Sequence, residues 1–61
     1  MYAICFDDKD ENATCYWTTR FHNTDNYTIE RDDATLFASK SAARALMVTL
    51  ALDDDHYIKE V

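Results

Sequence analysis

Four side chains in this 61-residue chain are potential zinc ligands: Cys5, Cys15, His22 and His56. A bound zinc would stabilise a chain too short to bury much surface. Structural zinc sites take their ligands in closely spaced pairs, whereas here the gaps are ten, seven and thirty-four residues. The spacing therefore argues for two free thiols and two imidazoles, with no metal and no cofactor. Asp8, Asp10 and Asn12 copy the opening of a calcium loop. Ala13 then stands where such a loop needs Gly, Thr19 stands where it needs a bidentate Glu, and the flanks read as strands. A thiol nucleophile with a base would require Cys15 with His22, or Cys5 with His56, and no Gly-rich phosphate loop is present. Chemistry of the enzymatic kind is not expected.

Carboxylates offer a different chemistry, recognition by charge. Ten of the twelve lie in three runs: Asp7, Asp8, Asp10 and Glu11; Glu30, Asp32 and Asp33; Asp53, Asp54 and Asp55. With six Lys and Arg the net charge is -6, which repels phosphate backbones and anionic lipid and turns attention to a basic protein surface. Carboxylates spaced along one edge of a fold would imitate duplex phosphates and suit the groove of a nucleic-acid-binding partner, as a DNA mimic does. The simpler use of the same charge is solubility.

These runs must be positioned by the elements between them. SKSAARALMVTLAL, Ser39 to Leu52, carries the clearest pattern. At about 100° per residue, Ala42, Ala43, Leu46, Met47 and Leu50 share one stripe, with Lys40 and Arg44 opposite. Ser39 is a good N-cap for this helix. Ala45, Val48 and Leu52 fall on the back of the helix, an exposed apolar strip suited to self-association as an isologous helix pair.

Tyr2 to Phe6 and Thr14 to His22 read as an antiparallel hairpin around a polar loop. With the loop centred near Asp10, Cys5 faces Cys15, Ile4 faces Tyr16 and Ala3 faces Trp17, and Ile4, Phe6 and Tyr16 are expected to meet the helix. The chain has no Gly or Pro, so Asn12, Asn23, Asp25 and Asn26 are the turn candidates. A short extended piece follows Tyr27, with a turn at Arg31, Asp32 and Asp33. Ala34 to Ala38 reads as a third strand, and HYIKEV as a last strand beside the first hairpin. The expected fold is α+β, a single domain of order β-β-β-α-β with one helix on one face of an antiparallel sheet.

The initial MYAICF has no basic residue before it and no cleavage signal after it, and no apolar segment approaches the ~20 residues of a membrane span. A soluble, cytoplasmic protein with reduced thiols is expected. The A-x-x-F-x-S-x-x-x-A stretch of Ala34, Phe37, Ser39 and Ala43, after an aromatic hairpin and before a short closing strand, resembles small accessory proteins of bacteriophages and mobile elements. That resemblance implies a viral protein made in an infected bacterium that binds and inhibits a host or defence protein. The expected function is thus a non-enzymatic inhibitor acting by protein-protein contact. The competing reading is a homo-oligomeric structural or regulatory module whose acidity serves only solubility.

Overall fold

The computed structural model describes residues 1–19 and 26–61. The strands are β1 (Tyr2–Asp8), β2 (Ala13–Trp17), β3 (Tyr27–Thr28) and β4 (His56–Glu60), with one helix, α1 (Lys40–Thr49), and a 3-10 turn at Arg31–Asp33. All pairings are antiparallel and the sheet order is β3-β2-β1-β4. The helix packs on one face, chiefly over β1 and β4. This is the α+β sandwich the hydrophobic pattern calls for, with the last strand beside the first. Two details of the strands differ. The third strand is Tyr27–Thr28, and Ala34 to Ala38 contributes only a bridge between Phe37 and Tyr2, which exchange hydrogen bonds of 2.9 and 2.7 Å. The second strand ends at Trp17; its expected continuation through His22 runs into residues outside those described, as do the turn candidates Asn23 and Asp25.

The hairpin register is one residue from the expected one. Cys5 pairs with Tyr16 and Phe6 with Cys15. The cause lies in the turn. Asp8 Oδ1 accepts the backbone N–H groups of Asp10 at 3.0 Å and Glu11 at 3.3 Å, and Asn12 takes φ of 52°, so Asn12 belongs to the loop and does not pair. Because side chains alternate with period two, this shift exchanges the faces of β2. Trp17, not Tyr16, joins Ile4 and Ala43 in the helix-side core, where Phe37, Leu46, Met47, Leu52 and Ile58 pack against them. Tyr16 lies on the other face with Ala3 and Cys5, closed over by Ala34 and Val61. Cys5 and Cys15 consequently occupy opposite faces and do not meet.

Ser39 caps α1 as expected, its Oγ accepting the N–H of Ala42 at 3.1 Å. The helix ends earlier than its apolar pattern. Leu52 N–H donates to Met47 O at 3.0 Å and Ala51 N–H to Val48 O at 3.1 Å, with Ala51 at φ 53°. This is the Schellman arrangement, in which the residue after the left-handed one folds back onto the last turn. Leu52 is thereby drawn under the helix, half-buried against the core, whereas Ala42 and Leu50, expected on the core stripe, are exposed. A left-handed L-residue costs about 1 kcal/mol that Gly avoids. Ala51→Gly is expected to stabilise the protein by about 1 kcal/mol, read as a rise in the thermal midpoint; an unchanged or lower midpoint would contradict this account of the helix end.

Candidate interaction surface

The pairing of β1 with β4 sets Phe6 opposite His56, so the β1–β2 loop and the turn before β4 emerge at the same end of the sheet. Tyr57 ties them together, its hydroxyl donating to Asp7 Oδ1 at 2.8 Å. Asp7, Asp8, Asp10, Glu11, Asp53, Asp54 and Asp55 therefore share one end, with Lys9 the Lys or Arg within those two segments. Seven carboxylates and one ammonium give -6, the net charge of the whole chain; the remaining five carboxylates are matched in number by five Lys and Arg. The third run, Glu30, Asp32 and Asp33, follows β3, and Asp32 lies beside Met1, Leu36 and Val61, at the end of the sheet where β1 begins and β4 finishes. The three runs thus do not line one edge. Two converge at an end and the third stands apart.

Within this end the carboxylates divide by what they hold. Asp7 also accepts from Thr14 Oγ1 at 3.2 Å, and Asp8 fixes its own loop. Asp53 Oδ1 accepts the N–H of Asp55 at 3.2 Å and lies 2.9 Å from His56 Nδ1. His56 Nε2 lies 2.7 Å from the Tyr27 hydroxyl. The resulting chain Asp53–His56–Tyr27 spans from the turn before β4 to β3 beneath the helix, with the Phe6 ring edge-on to Tyr27 at 4.9 Å between centroids. Sequence spacing pointed to none of this, because Tyr27 and His56 are 29 residues apart. Asp10, Glu11, Asp54 and Asp55 are exposed and hold no such bond with their side chains among the described contacts. Asp53 to Asp55 lie beyond the last turn of α1, which ends at Thr49, so the negative end of the helix dipole penalises them little.

The remaining sequence candidates separate. Cys5 and Cys15 are free and buried on opposite faces, and His22 lies outside the described residues. Among the described residues no three His, Cys, Asp and Glu side chains converge to hold a metal ion. Ala45 and Val48 are exposed, Val48 at 75%, but Leu52 is half-buried against the helix-side core, so the three do not form the expected exposed strip. What flanks Val48 instead is an open groove of about 560 Å³ between α1 and β4. Its floor is Met47, Leu52 and Ile58; Lys40 and Arg44 stand at one end, Asp53 and Asp54 at the other.

Burial pushes the Cys5 thiol up from 9.0, a shift that Lys59 opposes and Asp7 reinforces; burial and then the Asp8 and Glu11 charges push Cys15 up as well. Tyr27 rises from 10.0 through burial and Asp53, and Tyr57 through burial and its bond to Asp7. Folding favours the neutral form of all four groups, so their contribution is complete below the ordinary thiol value and is lost as pH rises through the folded values. The thermal midpoint is expected to fall above a pH of about 9, and a midpoint that rises there would contradict these assignments.

Comparison of the chain with protein-family models, curated proteins and solved structures finds no match. Among the described residues no helix is long and apolar enough to cross a membrane.

Proposed function

We propose that this chain is a small non-enzymatic binding protein whose acidic end occupies a basic, nucleic-acid-binding groove on a host or defence protein and blocks it, as a bacteriophage-encoded inhibitor would. The observation that carries this reading is the polarisation of charge. The segments at one end account for the full -6, and the rest of the sequence balances. Charge needed only for solubility works when it is interspersed over a surface, and gains nothing from confinement to one end. A concentrated negative end gives strong steering toward a positive surface and repels nucleic acid itself. Asp7, Asp8 and Asp53 hold the scaffold of that end by hydrogen bonds, leaving Asp10, Glu11 and Asp55 to face the partner while Asp54 stands at the end of the α1–β4 groove. The cytoplasm of an infected bacterium is the setting this reading requires. Capture from a bacterial lysate with the tagged protein tests it. The expected partner carries a basic groove and is released by raised salt; a partner released only by denaturant would overturn the reading.

A further inference from the structure

We infer that β4 and the α1–β4 groove form the seat for a second copy of this chain, joined edge to edge into an eight-stranded antiparallel sheet. β4 is an edge strand. Val61 N–H donates to Met1 O at 2.9 Å, so along β4 the odd-numbered residues point their backbone groups at β1 and the alternation turns those of Ile58 and Glu60 to the open edge. A strand presented this way is a template for another.

The occupant is specified by charge. Lys40 lies over the Tyr2 ring at 6.0 Å, and Tyr2 pairs with Glu60, so the basic end of the groove stands at the Glu60 end of β4. Asp53 and Asp54 stand at its His56 end. A two-fold axis through Ile58 reverses the second strand and sets Arg44 of each copy toward Asp54 of the other. It also faces His56 with Glu60 and Tyr57 with Lys59 across the new ladder. The next permitted register, Ile58 against Glu60, would oppose Lys59 to its own mate and is disfavoured. Val48, 75% exposed at the rim of the groove, gains apolar cover from the other copy's helix. The two acidic ends come out at opposite ends of the joined sheet, which avoids their mutual repulsion. This differs from a pairing of helix backs through Ala45, Val48 and Leu52, because Leu52 is turned under the helix against the core and off its back.

The test is made on the purified chain alone, by sedimentation equilibrium at tens of micromolar, and does not depend on the acidic end's partner. The wild type is expected to be a dimer. Arg44→Glu sets like charges together at both symmetry-related contacts, and so does Asp54→Arg, so each variant is expected to be monomeric. Both positions are exposed, and circular dichroism is expected to show the fold intact. An equimolar mixture of the two variants restores opposite charges at both contacts and is expected to return the dimer. A monomeric wild type, variants that remain dimeric, or a mixture that stays monomeric would each overturn the proposal.

Discussion

Trp17→Ala is expected to remove most of the stability of the fold. Trp17 is 9% exposed, packs with Ile4 and Ala43, and lies against Phe37 at 6.3 Å between ring centroids. Truncation of a buried Trp costs about 3–5 kcal/mol, and a chain of this length has only about 3–9 kcal/mol to lose. The effect spreads because Phe37 anchors the segment before the helix through its two bonds with Tyr2, and the Trp17 carbonyl accepts from Thr35 N–H at 3.1 Å. A drop in thermal midpoint of about 15 °C or more, or loss of a cooperative transition by circular dichroism, is the expected outcome. Tyr16→Ala is expected to cost less, because Tyr16, though equally buried, packs in the smaller cluster of Ala3, Cys5, Ala34 and Val61. The reverse order would mean that Tyr16, not Trp17, meets the helix.

That comparison turns on a single residue of register, and it marks the boundary of what this sequence discloses. The helix and its cap were legible because Ser39 and the apolar stripe are local signals, and the β4 pairing followed from the short apolar run after the helix. The hairpin register was not legible, since it depends on whether Asn12 enters the ladder or the loop, and the chain offers no Gly to mark the choice. The end of the helix was hidden for the same reason. Ala51 does the work of a C-terminal Gly, so the pattern seemed to run on to Leu52 and put that residue on the wrong face. The acidic runs were plain as runs. Their convergence was not, because it arises from Phe6 pairing with His56 and from the Tyr57–Asp7 bond, contacts that join residues fifty positions apart. Lys40 and Arg44 were recognised only as the polar side of a helix, and their place at one end of a groove required the sheet edge to be known.

Neutralising three outward carboxylates, as Asp10→Asn, Glu11→Gln and Asp55→Asn, is expected to abolish most partner binding while leaving the fold and the Arg44–Asp54 contact between copies intact. The variant lowers the charge of the acidic end from -6 to -3, counted over the same segments, and leaves Asp7, Asp8 and Asp53 to hold Tyr57, the loop and His56, and Asp54 for the second copy. Asp53 is left untouched because its loss would release the chain through His56 to Tyr27. The matched control, Glu30→Gln with Asp32→Asn and Glu60→Gln, removes three charges away from that end and is expected to bind nearly as the wild type does. Equal weakening by both sets would reduce the acidity to a general property of the surface. Removal of rim charges acts first on the association rate, so the outward-carboxylate variant is expected to associate more slowly, with a smaller change in dissociation.

The most direct test of the charge-polarised binding surface is a salt titration of the affinity for the captured partner. Between about 50 mM and about 500 mM NaCl the screening length falls from well above to near the separation of contacting charges, so the dissociation constant of the wild type is expected to rise at least about tenfold, and that of the three-carboxylate variant far less. A wild-type dissociation constant that stays flat across that range, or a variant that follows the wild-type curve, would contradict the claim that the acidic end makes the contact.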